Sequence, residues 1–169
     1  MKALLSVHDK ELLDVFADGL IRNGYDVFCT EGTNAFLRGK GLETHMTSEI
    51  TGFSEMLDGK IKTIHPDIHY MIATGEISVM AVNLLPLALK GDSPLDSMDI
   101  GGVNLIRSGI KNWRNVCVLT DSKDYLKVLN DIRGNGIRME TRHECAIKAI
   151  KTVMTYDWNV LETLKNLDL

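Results

Sequence analysis

The sequence predicts an α/β protein in three layers, a mostly parallel sheet with helices on both faces. Short apolar runs alternate with amphipathic stretches along the chain. The runs are apolar at almost every position rather than at every second one, as strands covered on both faces are. At 169 residues and 44% hydrophobic, the chain also has the size of one domain, 1–169, that can bury a core without disulfides or a structural metal.

Taken in order, Ala3 to Val7 reads as a strand. Asp9 then reads as the cap of a helix with Leu12, Leu13, Phe16, Ala17, Leu20 and Ile21 on one face, and Gly24 stops it. Val27 to Cys29 is a second strand, leading through Thr30-Glu31-Gly32-Thr33 into a short helix around Ala35 to Arg38. Thr47 to Thr74 is irregular. Val79 to Leu85 is an apolar strand, Gly91 to Pro94 a loop, Val103 to Ile110 a helix, Val116 to Thr120 a strand and Ser122 to Arg133 a helix. Thr141 and Glu144 have the spacing of a capping box, ahead of a helical stripe of Ala146, Ile150, Val153, Met154 and Trp158. The eight methionines read as core filler.

Composition excludes several function classes. A net charge of −4, with lysine and arginine scattered among acids, argues against nucleic acid as partner. Three widely spaced cysteines, Cys29, Cys117 and Cys145, lack zinc or redox spacing and suit reduced thiols in a cytoplasm. Met1 to Val7 is too short for a signal peptide, and no apolar run reaches the length of a membrane span.

Chemistry concentrates in a few segments. Lys60-Ile61-Lys62-Thr63-Ile64-His65-Pro66 places two ammonium groups, a hydroxyl and an imidazole ahead of a rigid proline; if extended, Lys60 and Lys62 point to one side. Two readings are open, an anion site or a solvated face paired with Glu55 or Asp58. Thr30-Glu31-Gly32-Thr33 lies where a strand meets a helix and offers amides and hydroxyls to a phosphate, with Glu31 arguing against it. Asp99-Ile100-Gly101-Gly102 precedes a helix carrying Arg107, Lys111 and Asn112; capping alone accounts for the tetrad, and Lys111 could complement the helix dipole. His65, Asp67 and His69 find no further ligand for a metal, and no serine or cysteine sits in a nucleophile context.

Together these segments resemble the inosine monophosphate (IMP) cyclohydrolase domain of the bifunctional purine-biosynthesis protein, whose fold is methylglyoxal-synthase-like. The matching pieces are Leu5 to Lys10, Thr30 to Thr33, Thr51 to Pro66, Asn83 to Pro86, Asp99 to Gly102, Lys111-Asn112 and Tyr156-Asp157, with the long central one the most specific. The resemblance implies closure of the purine ring of a formylated imidazole carboxamide ribonucleotide with loss of water, without cofactor or metal. It implies Lys62 and Lys111 as acid or oxyanion-side groups, and Asp99 as the group that orients or deprotonates the carboxamide. Ser6, Lys10, Thr30, Gly32, Thr33, Lys60 and Thr63 would hold phosphate and ribose and Asn83 the base, with His8, Ile100 and Gly101 also among the substrate-binding positions. The family also implies a homodimer, and the missing formyltransferase part implies that a separate formyltransferase subunit could dock.

Several positions depart from the family pattern. Leu85 stands where the family usually has a tyrosine, His8 where it has serine, Glu31 where it has glycine and Lys60 where it has arginine, and Tyr70 to Val82 is shorter. Lysine cannot make the bidentate fork of arginine to a phosphate. The sequence therefore describes a stand-alone, pared-down relative. Its alternatives are a nucleotide-binding sensor or partner protein that has lost catalysis and, further off, a methylglyoxal synthase.

Overall fold

The computed structural model describes residues 1–53, 63–87 and 94–167. Lys60, Lys62 and most of the central segment lie outside the described residues. Among the described residues, five strands form one sheet in the order β3-β2-β1-β4-β5: β1 Lys2–Ser6, β2 Asp26–Cys29, β3 His45–Met46, β4 Ile77–Val82 and β5 Cys117–Leu119. Every pairing is parallel, with Leu5 opposite Cys29 on one side and Ala81 on the other. The helices are α1 Leu13–Arg22, α2 Glu31–Gly39, α3 Ser48–Thr51, α4 Pro66–Thr74, α5 Gly101–Lys111, α6 Tyr125–Arg133 and α7 Met139–Lys165.

Both faces of the sheet are buried, for the reason the apolar runs gave. Ala3, Leu5, Val79, Ala81, Cys117 and Leu119 project into a core under α1, α2 and α6, where Phe16 stacks on Tyr125 with ring centroids 4.2 Å apart. Their neighbours Leu4, Met80, Val82 and Val118 enter the opposite core, under α4, α5 and α7. Successive residues of a strand point to opposite faces, so a strand between two helical layers must be apolar throughout.

Some expectations are corrected. Asp9 does not cap α1: its Oδ1 accepts from Glu11 N at 3.0 Å in a separate turn, and Leu12 stands at the helix start with φ 56. Leucine in that left-handed region costs about 1 kcal/mol. The fourth strand ends at Val82, so Asn83, Leu84 and Leu85 leave the sheet. No capping box forms at Thr141, which lies inside α7 and fully buried, while Glu144 pairs with Lys127. Gly24 ends α1 as expected, with φ 78 and its amide on Ile21 O. Of the methionines, Met71 and Met80 are core, whereas Met1, Met46, Met98, Met139 and Met154 are exposed. The flexible thioether tolerates water as readily as a gap, so composition alone did not place it. The stripe on α7 also divides: Ala146 and Val153 are buried, but Ile150, Met154 and Trp158 are exposed on the opposite face. Among the described residues no helix is long and apolar enough to cross a membrane.

Candidate functional site

The strand order reverses between β1 and β4, and in an open parallel sheet that leaves a crevice beyond the carboxyl ends of the strands. A cavity of about 380 Å³ lies there. Its wall takes Ser6, Val7, His8 and Lys10 from the end of β1, Thr30, Gly32 and Thr33 from the β2–α2 junction, and Asn83 and Leu85 from beyond β4. Thr63, Asp96, Ser97, Met98 and the stretch Asp99 to Gly102 close it.

Two helices begin at this cavity. α2 starts after Thr30 and α5 after Ile100, so the first amides of each, which have no acceptor inside their own helix, stand at one hollow, with Gly102 N of α5 already taken by the Asp99 carboxylate. An anion is the ligand such an arrangement favours. Thr33, 1% exposed, ties the floor together: its hydroxyl donates to Val7 O at 3.2 Å and accepts from Val7 N at 3.3 Å, with Lys10 Nζ 3.2 Å away. Lys10 Nζ also donates to the Val7 carbonyl. The positive group is thereby anchored at the rim of β1. Glu31, the residue that argued against phosphate, is exposed and not in the wall.

Asp99 is held on three sides. Oδ1 accepts from Gly102 N at 2.7 Å, Oδ2 accepts from Leu85 N at 3.0 Å, and its own amide donates to the phenol oxygen of Tyr156 at 2.6 Å. Capping of α5 is therefore real, and the same carboxylate also fastens the loop after β4. The glycines are required by space. A Cβ on Gly102 would lie 2.7 Å from Leu84 Cδ2 and 2.8 Å from Asp99 Oδ2, and one on Gly101 would lie 2.9 Å from Thr63 Oγ1.

Two sequence-derived site residues stand in settings of their own. Asn83 lies in the wall, but its side chain is occupied: Oδ1 accepts from His8 N and from Asp9 N at 3.1 Å, and Nδ2 donates to Asp9 O at 3.0 Å. It straps the β1 loop across the switch point. Lys111 is not in the wall. It is the last residue of α5, about 15 Å along the axis from Gly101 at 1.5 Å per residue, so within one chain it does not meet Asp99. The neighbouring Asn112 has a structural duty, donating to Ile72 O at 2.9 Å and Ala73 O at 3.0 Å to close the end of α4.

Ser6, His8, Lys10, Thr30, Gly32, Thr33, Thr63, Asn83, Asp99, Ile100 and Gly101 all line the one cavity, while Lys60 and Lys62 are outside the described residues. The wall residues Asp96, Ser97 and Met98 escaped sequence reasoning, and nearness to Asp99 was their only signal. Tyr156 was matched within Tyr156-Asp157, but its contact with Asp99, 57 positions away, has no local signature. His65 and His69 are otherwise engaged: His65 Nδ1 accepts from Asp67 N at 3.3 Å, and His69 Nδ1 is 2.6 Å from Ser108 Oγ. Among the described residues no cluster of three or more His, Cys, Asp or Glu side chains is placed to hold a metal.

An open parallel sheet with a hollow at its switch point, walled by two helix starts, makes this an α/β domain of the doubly covered kind. The chain belongs to the MGS-like domain family, whose profile it matches over residues 12–101, and residues 109–168 match that of the AICARFT/IMPCHase bienzyme. It is 35% identical over 180 residues to the bifunctional purine biosynthesis protein PurH of Enterococcus faecalis, covering 92% of this chain and 35% of the relative. To PurH of Aquifex aeolicus it is 33% identical over 189 residues, covering 99% and 37%. The chain thus spans about a third of the length of these relatives. The crystal structure of ForH superposes with a TM-score of 0.83 at 30% identity, covering 97% of this chain and 98% of that one.

Proposed function

We propose that the cavity is the active site of an IMP cyclohydrolase, which closes the purine ring of 5-formamidoimidazole-4-carboxamide ribonucleotide in de novo purine biosynthesis. The observation that carries the proposal is the convergence of two helix starts on one hollow beside an anchored carboxylate, in a chain whose last third matches the bienzyme family. The nucleotide's phosphate sits at the start of α2, held by its amides, the hydroxyls of Thr30 and Thr33 and the ammonium of Lys10. That leaves the base toward Asp99 and the start of α5.

In the reaction the carboxamide nitrogen attacks the formyl carbon, a C–N bond forms and the formyl oxygen becomes an alkoxide. Proton transfers then release that oxygen as water and leave a C=N bond. Both reacting groups belong to one molecule, so the protein's work is to hold the attacking pose and to manage charge and protons. Asp99 orients and accepts from the carboxamide N–H₂, its direction fixed by Gly102 N, Leu85 N and Tyr156. The oxyanion side falls to the amides at the start of α5 and, by family resemblance, to Lys62. Lys111 takes no part within the chain. No metal or cofactor enters the proposal, and the setting is cytoplasmic. The formylated substrate comes from a formyltransferase, either a separate subunit or a further part of the polypeptide.

Leu85 favours a second reading. Its side chain, 40% exposed, stands in the wall where the family has a hydroxyl, so the site could bind a purine ribonucleotide without converting it. Incubating the purified chain with the formylated ribonucleotide and following IMP by chromatography, with spontaneous closure subtracted, separates the two. The enzyme reading expects turnover that falls about 10²-fold or more in Asp99→Asn. Binding with closure no faster than in buffer overturns catalysis and leaves the sensor, whereas methylglyoxal formed from a triose phosphate overturns both.

A further inference from the structure

The three cysteines are far apart in the sequence, and the fold brings two of them together. Cys117 lies on β5, and Cys145, 28 positions on, lies near the start of α7, where that helix packs on the strand. Their thiols hydrogen-bond to one another inside the core. Cys29 belongs to the same core on β2, where burial pushes its thiol up to about 12 and keeps it protonated and inert.

The pair is not symmetric. Cys117 is 0% exposed, and its contact with Cys145, together with burial, raises its thiol well above the ordinary value. Cys145 is 3% exposed, and its thiol is lowered, first because it accepts the hydrogen bond of Cys117 and further because the ammonium groups of Lys148 and Lys127 lie within electrostatic reach. Burial and the Asp124 carboxylate oppose this without reversing it. Both lysines are held in place. Lys148 Nζ donates to Asp124 Oδ1 at 2.6 Å and Oδ2 at 2.8 Å, and Lys127 Nζ donates to Glu144. A thiolate beside fixed cations, with a second thiol already in contact behind it, is an arrangement that reacts with an oxidant and then closes on itself.

We propose that Cys145 and Cys117 form a dithiol site for a small hydroperoxide, Cys145 being the nucleophile and Cys117 the resolving thiol. The Cys145 thiolate attacks one oxygen of hydrogen peroxide; an S–O bond forms as the O–O bond breaks, and the departing hydroxide takes the Cys145 proton and leaves as water. Cys117 Sγ then attacks the sulfenic sulfur, an S–S bond forms as the S–O bond breaks, and the hydroxide leaves with the Cys117 proton as a second water. The two thiols lose two electrons and two protons, and one peroxide becomes two waters. An opening of 3% of one side chain admits an oxidant the size of water and shuts out a bulky one such as glutathione disulfide. The inference does not depend on the reaction assigned to the cavity.

The test uses the full chain, reduced and then treated with hydrogen peroxide under native conditions, with alkylation after denaturation and peptide mapping by mass spectrometry. One disulfide should join Cys117 to Cys145 within a chain, Cys29 should be alkylated, and dithiothreitol should reverse the bond. Tying α7 to β5 across that stretch of chain should raise Tm by about 5–10 °C. Cys117→Ala should leave Cys145 as a sulfenic acid that dimedone traps, and Cys145→Ala should leave Cys117 unoxidised. Three alkylated thiols after peroxide, a disulfide that forms only in urea, or oxidation of Cys29 as fast as of Cys145 would each overturn the site. Oxidation by glutathione disulfide as fast as by peroxide would overturn the choice of oxidant.

Discussion

Asn83→Leu tests how the cavity is built. The side chain makes three hydrogen bonds to the loop after β1, to His8 N, Asp9 N and Asp9 O. Leucine has a similar size and makes none of them. A protein hydrogen bond is worth about 0.5–1.5 kcal/mol net, and these three are solvent-accessible, so water replaces part of each and the loss should be about 1–2 kcal/mol. For a chain of this length that lowers Tm by about 2–8 °C. The functional effect is more telling. A strap that sets the His8–Lys10 loop should, when cut, weaken inorganic phosphate and a purine ribonucleotide alike, by about tenfold, as each 1.4 kcal/mol does. A residue that contacts the base would spare phosphate and weaken the nucleotide alone. Titration calorimetry with both ligands on wild type and Asn83→Leu decides, and a phosphate affinity unchanged within error would refute the strap.

Gly102→Ala should be as damaging as removal of a functional group, since its Cβ would push into Leu84 and both oxygens of Asp99; overpacking costs about 1–3 kcal/mol, and nucleotide titration with thermal melting would show affinity and Tm falling together. Lys111→Ala should keep turnover within about twofold of wild type, against the ~10²–10⁴-fold of a positioned acid; a loss of that larger size in a steady-state assay would mean that another copy supplies Lys111 to the site. Burial holds the His69 imidazole below its ordinary value of 6.5. The unfolded chain therefore takes up the proton first, so this contribution is intact above pH 6.5 and is lost as pH falls below it. Tm measured across pH 5 to 8 should drop on the acid side, and His69→Gln should flatten that drop.

How much was legible in the sequence follows from how local each signal is. Strands covered on both faces leave apolar runs, and the start of α5 leaves Asp-Ile-Gly-Gly, so the layers and most of the wall could be read from neighbouring letters. Asp99 was read as a cap, and it is one. Where Lys111 stands was not legible, because similarity along a sequence carries no direction in space: it ends an 11-residue helix whose start is at the cavity. The bonds of Asn83 to the loop after β1 were not legible, because its partners lie some 75 positions away.

The sequence by itself determined the α/β layering, the family and the small polar residues at strand ends, because each is written in periodicity or in contiguous motifs. Only the tertiary structure decided that the starts of α2 and α5 face one hollow, that Tyr156 holds the amide of Asp99, and that one side of α7 stays uncovered. Those facts depend on how separate elements cross in space, which the order of residues along any one of them does not specify.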